Sequence, residues 1–171
     1  MSALGLTKIK EAGGEETPRF CAVLTLDGVP VAHVSNDGCG GSCRVDGMKG
    51  PLDSKTLKRI EDAAVLLVAD VRPPTSNLSE ETLRSLDLDT AIFRLLDRTA
   101  LAKKIDRACK SKTLLRHRGD DAGVYRVASV FYMPGSPATE SIRKDPRVAV
   151  ILNELSSDER AVRVMSKEAS P

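Results

Sequence analysis

Two stretches of this chain have residue types and spacings that chemistry can use. The first is Asn36-Asp37-Gly38-Cys39-Gly40-Gly41-Ser42-Cys43. Successive glycines take positive φ and turn backbone N–H groups round an anion, so Asn36, Asp37, Gly38, Gly40 and Gly41 are candidate contacts for a small anionic ligand or a nucleotide. The competing reading is a tight bend that the glycines merely permit. Neither a G-x-x-x-x-G-K-[ST] loop nor a G-x-G-x-x-G opening a helix is present. The second stretch is Arg98 to Arg118, with eight basic groups and one acid, Asp106. Lys103, Lys104, Arg107 and Lys110, continued by Lys112, Arg116 and Arg118, form a candidate patch for phosphates or for an acidic protein surface. A solvated helix face is the competing reading.

Other chemistry finds less support. Cys39-x-x-x-Cys43 has the spacing of half a metal site, with Cys21 and His33 as further ligands. Zinc needs its ligands to meet at one point. The hairpin register given below puts Cys21 and His33 on opposite faces, so no metal is expected and the thiols read as small buried or loop side chains. Asp37 before glycines lacks the alternating acids and distal Glu of a calcium loop. Two histidines occur in the whole chain, and no Ser or Cys sits in a recognised nucleophile elbow. Glu15-Glu16 and Asp120-Asp121 are adjacent loop acids, which suit solvated turns better than acid–base pairs. No catalytic residue and no cofactor is expected.

Composition narrows the classes further. The chain has 171 residues, 41% hydrophobic and 29% charged, with a net charge of +2. That suits one globular domain with a real core and gives no global pull toward nucleic acid or membrane. The charge is uneven, however: residues 1–97 carry 11 basic and 15 acidic groups, and residues 98–171 carry 15 and 9. Trp is absent, with three Phe and two Tyr, so a stacking platform for single strands is nearly excluded. No stretch approaches the ~20 apolar residues of a membrane span, and Met1 to Lys10 has no signal-type apolar core. A cytoplasmic protein with reduced thiols and no membrane partner is expected.

The elements that must position these residues read as follows. Leu4 to Lys10 alternates like a strand, with Leu4, Leu6, Lys8 and Lys10 on one side and Ile9 on the other. Arg19 to Ser35 reads as a hairpin round Asp27-Gly28. Its two-residue turn sets Leu26 opposite Val29, Leu24 opposite Val31 and Ala22 opposite His33. Pro30 marks an edge on the outer side of the second strand. Asp53 or Ser54 caps a helix to about Ala69, with Leu57, Ile60, Ala64, Leu67 and Val71 at helical spacing, although the apolar run Ala63 to Val68 also suits a buried strand. Arg72-Pro73-Pro74-Thr75-Ser76 is a break. Ser79 caps a helical pattern that runs to Cys109 as one helix or two. Thr113 to Arg118 and Val124 to Ala128 form a second hairpin. A short helix within Pro134 to Lys144 and a strand over Val148 to Leu152 follow. The expected fold is α+β: a single domain over 1–155, with one mixed or antiparallel sheet of about five to six short strands on two to three helices, and a polar tail over 156–171.

The order of Lys8-Ile9-Lys10, the Asp27-Gly28 hairpin, Asn36-Asp37-Gly38-x-Gly40-Gly41, Leu114-Leu115-Arg116 and Ile151-Leu152-Asn153-Glu154 resembles small uncharacterised proteins of phages, prophages and mobile elements. The resemblance spans residues 4 to 154 and brings no activity or site with it. It implies a phage or prophage origin and action inside a bacterial cell. The expected function is therefore that of an accessory binding module, not an enzyme, engaging a host protein or nucleic acid. A binder of a small anion or nucleotide through the glycine loop is the alternative.

Overall fold

The structure is a computed structural model of the chain and describes residues 3–69 and 79–166. Val71 and the break at Arg72-Pro73-Pro74-Thr75-Ser76 lie outside the described residues. The class is α+β, as the sequence predicts. Among the described residues, the strands divide between two antiparallel sheets, of four and three strands, where the sequence predicts one. By its internal contacts the chain groups into two compact units, one up to Leu96 and one from Asp97.

In the first unit, β1 (Leu4–Ala12), β2 (Arg19–Leu26), β3 (Val29–Asn36) and β4 (Arg44–Gly47) lie side by side in chain order. Asp27 and Gly28 take φ of +54° and +79°, as a type I′ turn requires. Leu26 pairs with Val29 and Thr25 with Pro30, as the turn dictates. Beyond Pro30 the pairing slips by one residue: Leu24 lies opposite Ala32, Val23 opposite His33 and Ala22 opposite Val34. This corrects the register expected from the turn alone. A one-residue slip exchanges the faces of a strand. Ala32 and Val34 thereby join Ala22 and Leu24 in the core, at 0% and 1% exposure, and the exposed His33 turns outward on the face that carries Cys21. Burial of apolar surface decides the register against the tight turn. Pro30 does lie beyond the reach of β4, which pairs only with Ala32 to Ser35.

The first strand makes a second departure from strict alternation. Thr7 pairs with Val23 and Lys10 with Cys21, so Lys8 and Ile9 together oppose Ala22. Lys8 takes φ of +51° in this bulge. Ile9 is thereby rotated onto the core side with Leu4 and Leu6, not away from them. Asp53 caps α1 (Ser54–Val68) through its bond from the Thr56 N–H at 2.9 Å. The run Ala63 to Val68 is helical, not a strand, and leaves Leu66 57% exposed. α2 (Glu80–Cys109) is one helix of 30 residues, entered from Ser79, whose hydroxyl accepts from the Thr82 N–H. Its Leu88, Ala91, Ile92 and Leu96 pack with Phe20, Leu24, Ile60 and Val68.

In the second unit, the remainder of α2 packs Ile105 against Leu114, Leu152 and Val164. The sheet order is β6 (Arg126–Ala128), β5 (Thr113–His117), β7 (Val148–Ile151), and α3 (Pro137–Lys144) packs against β7. A single 3-10 turn, Leu152–Glu154, leads to α4 (Ser157–Met165). The expected polar tail from 156 is thus a packed helix as far as Met165. Ser156 and Glu159 close a capping box, and Ala161 and Val164, three residues apart, are both fully buried. No helix among the described residues is long and apolar enough to cross a membrane.

Candidate functional site

The basic stretch begins on the second half of α2. At about 100° per residue, Leu101, Ile105, Ala108 and Cys109 define a buried side. Lys103, Lys104, Arg107 and Lys110 fall on the opposite side, and all four are exposed. Asp106 lies at the margin and is engaged by α4: its carboxylate accepts from the Ser157 hydroxyl at 2.5 Å and pairs with Arg160 at 2.7 Å. Burial raises the Asp106 carboxyl, but Ser157 and Arg160, and to a lesser degree the Lys110 charge, outweigh it and hold the group below its ordinary value. The only acid within the stretch is therefore occupied. Among the described residues none of the four cations forms an ion pair. Asn153 fixes the turn that follows, donating to the carbonyls of Cys109 and Lys112 and accepting from the Leu114 N–H at 2.8 Å. That turn carries Lys110 and Lys112, both exposed.

Arg116 does not belong to this surface. It is fully buried, on the same side of β5 as Leu114. Its guanidinium donates to the carbonyl oxygens of Arg163 and Ser166 at the end of α4, and to those of Asp120 and Asp121, the last three at 2.7, 3.0 and 2.8 Å. Five forked donors on a plane suit this convergence of carbonyls. Its placement among partner-binding residues is thus corrected: alternation along the strand turns it inward. Arg118 is exposed, but its Nε bonds the Pro146 carbonyl at 3.1 Å. Asp120 accepts from the His117 N–H at 2.8 Å and pairs with Arg126 at 2.7 Å. Asp120 is a buried organiser of the β5–β6 loop, not a solvated turn acid.

The glycine loop is tied to the loop before β2. Buried Asn36 accepts from the Gly38 N–H at 2.8 Å and from the Thr17 hydroxyl at 2.9 Å, and donates to the Gly41 carbonyl at 2.7 Å. Asp37 accepts from the Cys39 N–H, and the Thr17 hydroxyl faces the Gly40 N–H at 3.4 Å. The Gly38 carbonyl accepts from the N–H groups of Glu15, Glu16 and Thr17. The N–H groups of Gly38, Cys39 and Gly40 are thus turned toward partners inside the protein. Gly38 and Gly40 take φ of +86° and +80°, whereas Gly41 does not enter that region. A Cβ on Gly38 would lie 2.8 Å from the Gly14 Cα, so two glycines let the two loops touch.

The thiols are free and dispersed. Burial, then the Asp89 carboxylate, push the Cys43 thiol up to about 12 against the pull of its Asn36 contact. Burial also raises the Cys109 thiol. Cys21 and His33 share the outward face of the first sheet, which removes the reason given above against a shared metal. Among the described residues no group of three or more His, Cys, Asp or Glu is placed to hold one.

One concavity escapes a reading of the sequence alone. Residues 10–12, 19–21 and 35–37, three from each of β1, β2 and the β3 end, line an open trough of about 500 Å³ on the first unit. The register places Lys10, Cys21 and Ser35 in one row and Ala12 beside Arg19 in the next. The signal lay in the pairing of strands, which the slip beyond Pro30 concealed. Comparison with known proteins adds no relative to this description: no family model, no curated protein and no solved structure matches the chain.

Proposed function

We propose that the chain is a non-catalytic binding module, an accessory protein of the phage or mobile-element kind, that engages nucleic acid inside a bacterial cell through the basic side of α2. The observation that carries this reading is the set Lys103, Lys104, Arg107 and Lys110. All four are exposed on one side of a packed helix, and the neighbouring acid, Asp106, is occupied by Ser157 and Arg160. Lys112 extends the row past the turn. With three Phe, two Tyr and no Trp in the chain, the contacts are to phosphates and largely independent of sequence. Arg116 takes no part, because it is spent on carbonyls.

Neutralising ~4 phosphates gives a log–log salt slope near −3.6 on duplex DNA, roughly two orders of magnitude in affinity between ~50 and ~200 mM salt. Fluorescence anisotropy with a labelled duplex measures it. Replacing Lys103, Lys104, Arg107 and Lys110 by Ala flattens the slope and leaves the thermal melt in place. Absence of binding to DNA and RNA at ~50 mM salt overturns the nucleic-acid reading and leaves an acidic protein surface as the partner of this face.

A further inference from the structure

The trough on the first sheet brings two cations, Lys10 and Arg19, to the strands that flank an exposed thiol, Cys21. Ala12, Cys21 and Ser35 line it with Lys10 and Arg19, and Glu11, Phe20, Asn36 and Asp37 complete the lining. Lys10 and Arg19 are exposed, and among the described residues neither forms an ion pair. Lys10 on β1 and Ser35 on β3 both lie opposite Cys21, so a cation and a hydroxyl flank the exposed thiol from its two neighbouring strands, roughly 4.8 Å away on each side. Arg44 of β4 stands opposite Ser35 and continues the same row. The lining acids are partly spoken for. Asp37 accepts from the Cys39 N–H, and Glu11 pairs with Phe20, so its side chain belongs to the opposite face. The register thus sets Lys10 and Ser35 beside Cys21, and Arg19 two residues before it on the same strand, while Arg44 is paired with Asp46 at 2.7 Å.

We propose that this trough binds the phosphate group of a small phosphorylated metabolite, held by Lys10 and Arg19 and hydrogen-bonded by Ser35, directly over Cys21. The ligand class is the one the glycine loop suggests from sequence, but the Gly38, Cys39 and Gly40 N–H groups have internal acceptors and the open sheet beside the loop takes the role. The volume admits a phosphate with a sugar-sized remainder. The site belongs to the first unit and is independent of the basic side of α2.

Cys21 supplies its own reporter. Iodoacetamide labelling, followed residue by residue with peptide mass spectrometry, gives the rate at Cys21 with Cys39 as an exposed internal control. Inorganic phosphate, and separately adenosine monophosphate, slows Cys21 several-fold relative to sodium chloride of the same ionic strength and leaves Cys39 unchanged. The protection disappears in a Lys10→Gln, Arg19→Gln double variant whose thermal melt matches the parent, and persists in the four-alanine variant of α2. An unchanged Cys21 rate, protection that survives the double variant, or protection by an oligonucleotide but by neither small phosphate overturns the proposal.

Discussion

Arg116 places a guanidinium in the interior of the second unit, where four backbone carbonyl oxygens from two separate segments converge on it. Removing it strands those acceptors, and a buried polar group left without its partner costs about 1–3 kcal/mol. Urea unfolding of Arg116→Met shows a loss of that order, and Arg116→Lys recovers only part of it, because one ammonium cannot fork toward both segments. A loss below ~1 kcal/mol, the scale of a surface substitution, contradicts the assignment. Nothing in the basic count of the sequence distinguishes Arg116 from Lys112. The distinction lies in its two-residue offset from Leu114, which sets both on one side of the strand. Asp120 carries the pH dependence of the same loop. The Arg126 guanidinium first, then the His117 N–H, hold its carboxyl below the ordinary 3.8. The unfolded chain therefore binds more protons in acid. The contribution is complete above pH 3.8 and is lost as the pH falls through the lowered value. The stability gap between the parent and Asp120→Asn accordingly narrows below about pH 4, and a gap constant from about pH 3 to pH 7 argues against it.

At the level of elements, the paired loops at residues 13–18 and 36–43 are one unit of structure, with Asn36 as the staple between them. Its glycines are not equivalent. Gly38 combines positive φ with a backbone neighbour 2.8 Å from any added Cβ, Gly40 combines positive φ with the Glu16 side chain, and Gly41 has neither constraint. Alanine at Gly41 leaves the melting temperature unchanged. At Gly40 it costs about 1 kcal/mol from the backbone, since Glu16 can swing away. At Gly38 the loops must also part, so the cost exceeds that of Gly40. Equal melting temperatures for the three variants contradict this ranking. Turns and caps were the readable part of the fold, because Asp27-Gly28, Asp53 and Ser79 act through local backbone bonds. The two irregularities were not, because an extra residue in β1 or β3 leaves composition and turn chemistry untouched. Their trace is an apolar residue out of phase: Ile9 in one strand, Ala32 and Val34 in the other. The trough owes its row of Lys10, Cys21 and Ser35 to both irregularities.

At the scale of the whole molecule, the single helix α2 serves two cores. Leu88, Ala91, Ile92 and Leu96 serve the first cluster, and Ile105 serves the second. Each half has its own buried stripe, and the apolar spacing shifts phase between Leu96 and Leu101. Separate cores imply separate opening. Hydrogen exchange followed by mass spectrometry shows Arg116→Met accelerating peptides from the second unit far more than β2 and β3, with Asn36→Ala doing the reverse. Uniform acceleration in both variants means that the units open together. The Asn36 staple also sets how this protein ages. Three Asp-Gly steps occur in the chain, at Asp27, Asp37 and Asp46. Such steps isomerise in storage when the glycine nitrogen attacks the aspartate side chain and closes a succinimide. At Asp37 that nitrogen belongs to buried Gly38 and is held by Asn36 at 2.8 Å. Peptide mapping after prolonged warm incubation finds isoaspartate at Asp37 in Asn36→Ala and little in the parent, with Asp27 and Asp46 indifferent to the substitution; equal accumulation at Asp37 in both proteins contradicts this. A hydrogen bond that shapes a loop thus also sets the shelf life of one peptide link.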